Sequence, residues 1–453
     1  MHLTQDVVER LLAEQLTQEE RNEAVRHLLS RCAECIQLAR TVAKRFGMVY
    51  SGGRFRKAKP KKSELKKYDP IFEKLQGLDL DARSKLIHER LIAAGQWASL
   101  QKHPQARRLT LISSDPSLHT WGLYDRLLDA AREIAPAHPE KGIEIAILAR
   151  AVADELEAQR YGATRIVDFQ AAALAVLGNC KRIAEDFEGA RADLEQALAM
   201  LQEGTGDPLE KANVLSLQGS WKVDLGFFEE GERLFRRVIR IYEKVGDERM
   251  VGRTLIKQAT AVGYVEPDRA VGILDEASGF INSITDPLLE LCMRHSLALY
   301  LNEAGRTQEA VGVLEDSRGL YKQFPNRLFQ LRLHWLEGKI NRSLCNLREA
   351  EETFERVAAD FLEKGFPQEY LLCSIDLAEV VYAQGDRTRT LQICSSLYRS
   401  LESWHMHQEG LAVMVLFVNS VREDALQQEA FLHLARYMRK AWHLPQGMEA
   451  QVH

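Results

Sequence analysis

From about Trp121 onward, small and bulky residues recur along the chain with a period near 40 residues. Each period has a small or polar residue on a first predicted helix and another twelve residues later on a second. A bulky residue follows four positions after that, and usually a small one at seven. The six sets are Gly178/Ala190/Leu194/Ala197, Gly219/Gly231/Phe235/Val238, Gln258/Ala270/Leu274/Ala277, Ala298/Ala310/Leu314/Ser317, Gly338/Ala350/Phe354/Val357 and Ala378/Thr390/Cys394/Leu397. Such regularity predicts stacked helix pairs.

Close packing of two helices explains the spacing. Small residues let the helices of a pair approach, and the bulky residue one turn later fills the groove between them. Glycines recur at Gly226, Gly305 and Gly385, each seven residues after the first position of its set. A helix end that turns through a left-handed residue favours glycine there, so the turn within each pair is marked as well.

The segments LGNCKRIAEDFEGARADLEQAL and LQGSWKVDLGFFEEGERLFRRV show this spacing most clearly. They resemble the tetratricopeptide repeat, with its small, small, aromatic, small pattern. The resemblance covers roughly residues 121–404 and implies an all-α fold, a right-handed superhelical solenoid of helix pairs. The period of about 40 residues is longer than the family's 34, as in the repeat regions of large bacterial transcriptional regulators, and the third and sixth sets are degenerate.

The flanking sequence also has helical periodicity. We expect an earlier helix pair to begin at Trp121 and to close with IEIAILARAVADELEA, and residues 70–100 to form another. At the far end, EGLAVMVLFVNSVREDALQQEAFLHLARYMRKAW predicts two capping helices that cover the last apolar face of the array. The expected domains are an N-terminal helical module at 1–46, a linker at 47–69 and the solenoid with its caps at 70–442.

Length and composition indicate which broad class of protein this chain belongs to. At 453 residues the chain exceeds the size at which one compact core stops growing, which again favours an open array. No apolar run reaches the roughly 18–20 residues that a bilayer span needs, and the first residues lack the pattern of a secretory signal. Seven cysteines are scattered without a disulfide framework. We therefore expect a cytoplasmic protein with reduced cysteines and no membrane contact.

One basic segment stands apart from the helical pattern. Residues 44–67 contain ten Lys or Arg against one Glu, with Gly52, Gly53 and Pro60 among them. This composition favours a linker. The formal net charge is −5, so nucleic-acid contact is not expected except through this segment, where aromatic residues lie between the cations.

A candidate metal site lies in HLLSRCAEC. Thr17 and Glu20 have the spacing of a capping box for a helix that ends near Ser30, and the next helix should open near Cys35 and run through Arg45. A Cys-x2-Cys pair can hold one ion because both thiolates project to the same side of a turn. A nearby histidine adds a donor, so His27, Cys32 and Cys35 are the candidate ligands, and zinc is the ion they favour.

This segment is similar to the zinc-binding motif of bacterial anti-sigma factors, short helical modules that bind sigma factors. The similarity covers about 30 residues. Four residues separate His27 from Cys32 where that family has three, no cysteine lies upstream, and His2 is the only upstream histidine. The alternative is a metal-free junction in which two reduced cysteines pack between helices.

Other candidate groups favour structural roles. His405 and His407 are two residues apart in a segment expected to be helical, where their side chains would diverge. Cys292 and His295 share a helix face, but Cys292 falls in the apolar stripe and no orienting third group is evident. No P-loop, dinucleotide fingerprint, His-Glu-x-x-His motif or nucleophile elbow is present. We expect no enzymatic activity.

The predicted function is that of a regulatory adaptor. A solenoid presents a concave surface built from the first helix of each pair, which suits an extended peptide or a partner's helix. The polar residues expected to contact a partner there are Asn179, Lys181, Lys222, Asn302, Asn341 and Arg342. The N-terminal module would engage a second protein, for which the motif suggests a sigma-factor-like partner. The alternative is a sensor whose solenoid changes shape when a peptide or small molecule binds.

Overall fold

The computed structural model describes residues 2–12, 15–29, 32–45, 48–51, 54–57, 80–404, 406–423, 426–427 and 429–442. The chain divides into two compact units, Met1–Lys85 and Leu86–His453. Most of the segment predicted as a basic linker therefore lies outside the described residues.

The described residues of the first unit up to Lys57 form three helices and a hairpin. The helices are α1 (Gln5–Leu12), α2 (Gln18–Leu29) and α3 (Ala33–Arg45), and the antiparallel strands are β1 (Met48–Ser51) and β2 (Arg54–Lys57). Thr17 and Glu20 form the predicted capping box. The Thr17 backbone N–H donates to Glu20 Oε2 at 2.8 Å, and the Glu20 N–H donates to Thr17 Oγ1 at 3.3 Å. The expected helix boundaries near Ser30 and Arg45 are confirmed, whereas α1 and the hairpin were not predicted.

The second unit is an array of antiparallel helix pairs. The helix α4 (Leu80–Leu100) begins in the first unit and continues into the second, where α5 (Gln105–Ser114) follows it. Of the pair predicted at residues 70–100, residues 80–100 form one helix and residues 70–79 lie outside the described residues. The following helices are α6 (Trp121–Ile134), α7 (Pro139–Asp154), the single turn α8 (Ala158–Tyr161), α9 (Ala163–Ile183), α10 (Phe187–Met200), α11 (Pro208–Asp224), α12 (Phe228–Val245), α13 (Glu248–Gly263), α14 (Pro267–Ser278), α15 (Pro287–Glu303), α16 (Thr307–Gln323), α17 (Arg327–Ser343), α18 (Leu347–Glu363), α19 (Pro367–Ala383), α20 (Arg387–Ser403), α21 (Gln408–Arg422) and α22 (Glu429–Ala441). The predicted all-α solenoid is confirmed.

The repeat spacing has the structural meaning that the sequence suggested. All members of the six sets are buried, and the bulky residues Leu194, Phe235, Leu274, Leu314 and Phe354 are at most 5% exposed. A Cβ placed on Gly219 or Gly338 would lie 2.7 or 2.5 Å from the phenyl ring of its own pair, on Phe235 or Phe354. The aromatic ring of these two pairs therefore occupies the space that a methyl group would need.

The turns within the pairs repeat at the same position. Gly226, Gly305 and Gly385 have φ angles of 78°, 79° and 86°. The equivalent residues of two other pairs, Glu185 and Cys345, adopt the same left-handed conformation without being glycine, at 63° and 61°. Each of these turns closes a hydrogen bond back to the helix, as from Asn346 N–H to Asn341 O at 2.9 Å. The geometry of the pair thus persists where the glycine is missing.

Candidate functional site

A recess of functional interest opens on the first helices of four consecutive pairs. It has a volume of about 560 Å³, and its walls come from α6, α9, α11 and α13, with Pro136 just beyond the end of α6. First helices form the inner surface of a solenoid, where a partner segment is expected to lie. We call this recess the inner pocket.

Two cations of α13 line the inner pocket. Arg253 and Lys257 are four residues apart and therefore lie on one face of the helix. Arg253 is exposed, and Lys257 is partly buried and donates from Nζ to the Ser216 hydroxyl at 2.9 Å. Across the described part of the chain, neither cation forms an ion pair. Burial, together with the nearby Arg253 and Arg182, lowers the pKa of Lys257 to about 7.

The carboxyl groups that line the inner pocket already have partners. Asp129 forms an ion pair with Arg132, in which Asp129 Oδ1 is 3.3 Å from Arg132 Nη1. Glu210 is bonded to Asn213, and burial raises the pKa of the Glu210 carboxyl, as do Asp207 and Asp168. The pocket therefore combines partnered carboxyl groups with two cations that form no direct ion pair among the described residues, although Asp224 acts on Lys257 from a distance.

Asn179 is the predicted contact residue that lines the inner pocket. Its Oδ1 accepts a hydrogen bond from Arg182 Nε at 3.1 Å, which leaves the amide NH2 without a partner among the described residues. An oriented amide of this kind can donate to the carbonyl oxygen of an extended peptide.

The three predicted cationic contacts lie in ion pairs between helices. Lys181 Nζ is 2.7 Å from Asp193, and Lys222 Nζ is 2.8 Å from Glu230. Arg342 bridges Asp376 and Glu379 at 2.9 and 2.6 Å. In the structure these groups join first helices to neighbouring helices of the array.

The two remaining predicted contacts occupy different environments. Asn302 is 4% exposed, and its Oδ1 has no hydrogen-bond partner among the described residues. Asn341 is partly buried, and its Oδ1 accepts from Asn346 at 3.4 Å. Neither residue lines the inner pocket.

The N-terminal unit brings four metal-binding side chains together. The donor atoms of His2, His27, Cys32 and Cys35 all lie within 4.8 Å of one another. His2 Nδ1 is 3.3 Å from Cys32 Sγ and 3.6 Å from Cys35 Sγ. Donors that share one tetrahedral zinc lie about 3–4 Å apart, given bonds of about 2.0–2.3 Å. The donor set fits zinc in residue type and number, and the two distances from His2 to the cysteine sulfurs match that spacing.

Further contacts orient this cluster. His2 Nε2 is 3.3 Å from a Glu34 carboxylate oxygen, an arrangement that leaves Nδ1 to act as the donor. The Leu3 backbone N–H donates to Cys35 Sγ at 3.2 Å. Burial raises the pKa of the Cys35 thiol, so a thiolate there would need a cation beside it.

The other candidates have structural roles. His407 caps α21, because its Nδ1 accepts from the Gly410 N–H at 3.2 Å while Nε2 lies 3.0 Å from Ala441 O. His405 lies outside the described residues. His295 Nδ1 is 2.7 Å from the Tyr321 hydroxyl, and burial raises the pKa of Cys292. No helix in the described ranges has the length and apolar character of a membrane span.

Three functional candidates, His2, Arg253 and Lys257, were not predicted as site residues from the sequence. His2 was set aside because it lies near the chain start, although the apolar spacing of QDVVERLL predicts a helix that could carry it back toward the cysteines. Arg253 and Lys257 have the four-residue spacing of one helix face. That spacing was legible, but whether either cation forms an ion pair depends on the neighbouring helices.

Comparisons with known proteins support the fold. No protein-family model and no curated protein matches the chain. A solved Rap protein complexed with competence and sporulation factor is similar over 71% of this chain and 95% of its own, with 13% identity and a TM-score of 0.50. A signal-transduction ATPase with a tetratricopeptide repeat sensor from Pyrococcus horikoshii covers 74% of this chain, which spans 52% of it, with 15% identity and a TM-score of 0.46. The Rap similarity shows a shared helical-repeat fold.

Proposed function

We propose that this chain is a non-enzymatic regulatory adaptor that binds an extended peptide, or an extended segment of a partner protein, in the inner pocket. The observation that carries the proposal is the composition of that pocket: its walls are first helices of successive pairs, and the Asn179 amide NH2 on one of them has no partner among the described residues. A recess that crosses several successive helices can follow an extended chain over several residues.

The chemistry of the pocket supports a peptide ligand. Asn179 offers an amide donor for a backbone carbonyl, and apolar side chains such as Val176 and Leu217 offer contacts for side chains of the ligand. The Rap protein of similar fold was solved in complex with the competence and sporulation factor, which is consistent with a partner-binding role for this fold.

A displayed library of random peptides tests this proposal. The wild-type chain should enrich a family of related peptides, and Asn179→Ala should weaken their binding about fivefold, since one hydrogen bond in a partly buried site contributes about 1 kcal/mol. Arg348→Ala is the matched control, because Arg348 lies on the second helix α18 and is 83% exposed. Enrichment that is equal for wild type and Asn179→Ala, or no enrichment at all, would refute the inner pocket as a peptide site.

A second candidate function is that of a sensor that changes shape. The helices α9 and α13 that line the pocket end beside Glu185 and Tyr264, and both of these residues contact the C-terminal end of the array through Trp442 and Arg439. A ligand that moves α9 against α13 would strain those contacts. Small-angle scattering with and without an enriched peptide tests this function. An unchanged radius of gyration would contradict the sensor function and leave the adaptor function as the proposal.

The N-terminal unit would add a zinc-stabilised binding module. His2, His27, Cys32 and Cys35 would hold the ion, and Glu34 would orient His2. Bound zinc would supply a rigid cross-link between the segment before α1 and the start of α3, and it would stabilise a unit too small for a large core. The motif suggests a sigma-factor-like protein as the candidate partner of this module.

Metal analysis tests the zinc site. The purified protein should carry about one zinc per chain, and Cys32→Ser or His2→Ala should release it. Cys345→Ser, at an exposed cysteine, is the control and should retain the metal. A chelator should increase amide exchange in residues 5–45 and leave α6–α20 protected. Protein that takes up less than half an equivalent of zinc, or that keeps zinc after Cys32→Ser, would contradict the assignment.

A further inference from the structure

The second helix α12 carries a row of cations on one face. Arg233, Arg237, Arg240 and Lys244 recur at spacings of four, three and four residues, so they lie on one side of the helix. All four are exposed, and none of them forms an ion pair among the residues that the structure describes. We call this row the basic stripe. It lies on a second helix, and α12 contributes nothing to the walls of the inner pocket.

The packing of the repeat does not require these cations. Across the four equivalent positions of the other five helix pairs, the only cations are Arg356 and Arg399. On α14, for example, the equivalent residues are Gly272, Glu276, Gly279 and Ser283. Like charges one turn apart destabilise a helix, so the basic stripe costs stability that the other pairs do not lose. Carboxylates of a partner would offset this repulsion.

A crevice of about 510 Å³ borders the basic stripe. It lies between the second helices α10 and α12, and the end of the first helix α11 forms the rest of its wall. Leu194, Trp221 and Leu234 give it an apolar lining, and Arg233 and Arg237 of the stripe also line it. We call this recess the outer crevice. It places an apolar surface directly beside two of the four cations.

The other charged side chains of the outer crevice interact with one another or with a neighbour. Lys222 Nζ is 2.8 Å from a Glu230 carboxylate oxygen, and an Arg191 guanidinium nitrogen is 2.8 Å from Glu188. The hydrogen bond to Glu188 and the charges of Glu188 and Glu195 raise the pKa of Arg191. The cations of the basic stripe therefore remain for a partner.

The neighbouring second helices limit the shape of that partner. Both α10 and α14 contain three acidic residues and one arginine, so the stripe lies between two helices with an excess of negative charge. A long polyanion that crosses several second helices, such as a nucleic-acid duplex, would be repelled on both sides. A single acidic helix aligned with α12 would meet only the stripe, which covers roughly 16 Å of helix length.

We propose that the basic stripe and the outer crevice form a second docking surface, which binds an acidic amphipathic helix of a partner protein. Carboxylates at matching spacings on that helix would face the four cations, and an arginine can hold a carboxylate through two parallel hydrogen bonds. Apolar side chains beside these carboxylates would enter the outer crevice. This surface is separate from the inner pocket, so the chain would hold two partners at once.

Three alanine-based helical peptides provide the probes, each about five turns long and cross-linked on the far face to keep it helical. The first carries four glutamates at spacings of four, three and four, with leucines on the adjoining face. The second has the same composition, with the glutamates distributed around the helix. The third has glutamine in place of glutamate.

The wild-type chain should bind the first peptide at least about tenfold more tightly than the other two, because only this peptide presents all four carboxylates to the basic stripe. Raising the salt from about 0.1 M to about 1 M should remove most of this preference, since the screening length falls from about 10 Å to about 3 Å. Equal binding of the first and second peptides would overturn the proposal.

Charge reversal tests where the peptide binds. Arg237→Glu should weaken binding of the first peptide at least about fivefold, because an attraction becomes a repulsion. Arg356→Glu is the matched control, since Arg356 is exposed at the equivalent position of the second helix α18. It should bind the first peptide as the wild type does. Equal losses in the two variants would contradict docking at the basic stripe.

A charge swap separates lost attraction from lost folding. The double variant Arg237→Glu/Arg240→Glu should bind a version of the first peptide that has lysine in place of glutamate, and the wild type should not. Binding of the lysine peptide shows that the variant is folded and that opposite charges select the partner. Failure of the lysine peptide to bind a variant whose thermal unfolding matches that of the wild type would overturn the proposal.

A DNA duplex of about two turns is the competing ligand. It should bind the wild-type chain no more tightly than the glutamine peptide, because the acidic residues of α10 and α14 repel its phosphates. Duplex binding that exceeds binding of the first peptide and is lost in Arg237→Glu would overturn the assignment to an acidic helix and make the basic stripe a nucleic-acid surface.

Discussion

Trp442 donates a hydrogen bond from its indole Nε1 to Glu185 Oε2 at 3.0 Å, across 257 residues of sequence. Arg439, on the same terminal helix α22, donates to the Tyr264 hydroxyl at 3.1 Å and lies 4.7 Å from the centre of that ring. The array therefore curves enough for its last helix to contact the ends of α9 and α13. The turn residue Glu185, held in a left-handed conformation, provides the acceptor.

We predict an energetic coupling between Glu185 and Trp442. In a double-mutant cycle with Glu185→Ala and Trp442→Phe, the coupling free energy of unfolding should be about 1 kcal/mol, as for a hydrogen bond to a charged group at an exposed position. Glu203→Ala combined with Trp442→Phe is the control and should be additive, because Glu203 is exposed and the Trp442 indole donates to Glu185 instead. Additive effects in both cycles would mean that the contact contributes nothing to stability.

The close approach of Gly338 and Phe354 leads to a second prediction. Gly338→Ala should destabilise the protein by about 1–3 kcal/mol, because the new methyl would lie 2.5 Å from the phenyl ring in a packed interior. Gly312→Ala is the control, since a Cβ there has no neighbour within 4 Å and alanine favours the helix by about 1 kcal/mol. Denaturant midpoints measure both changes.

A rescue variant sharpens that test. The pair Ala298 and Leu314 occupies the equivalent positions with a smaller bulky residue. The double variant Gly338→Ala/Phe354→Leu should therefore lose less free energy of unfolding than the two single variants lose together. A strictly additive double variant would show that the methyl and the ring do not compete for the same space.

The repeat could be predicted from the sequence because the same few contacts between the two helices of a pair recur in each repeat. Residues such as Leu194 and Gly219 recur at a constant spacing, and the same packing demands the same residue type in each pair. The inner pocket could not be predicted in this way. Whether Lys257 has a counter-charge depends on side chains from other helices, and those positions follow the superhelical curvature and not the spacing. His2 was missed for a similar reason, since only the packing of α1 on α3 brings it to the cysteines.

The left-handed turn at Cys345 leads to a third prediction. Cys345→Gly should stabilise the protein by about 0.5–1 kcal/mol, because a side chain in this conformation costs roughly 1–2 kcal/mol and glycine in the unfolded chain offsets part of the gain. Gly385→Ala, at the equivalent turn, should destabilise by a similar amount. Urea unfolding of the two variants provides the measurement, and a loss of stability in Cys345→Gly would show that the thiol makes a contact that outweighs the backbone strain.

The last prediction concerns His295 and the dependence of stability on pH. Burial, assisted by Arg332, lowers the pKa of His295 to about 4, and the ring bonds to the Tyr321 hydroxyl in its neutral form. In the unfolded chain a histidine has a pKa of about 6.5, so as the pH falls His295 binds a proton in the unfolded chain before it does so in the folded chain. The unfolded state therefore gains stability below pH 6.5, and the folded protein should lose about 2 kcal/mol from this residue between pH 7.5 and pH 5. His295→Gln has no proton to bind and should lose correspondingly less over the same interval. His88→Gln, at an exposed histidine, should follow the wild type. Equal losses in wild type and His295→Gln, measured by urea unfolding at the two pH values, would show that His295 titrates normally in the folded chain.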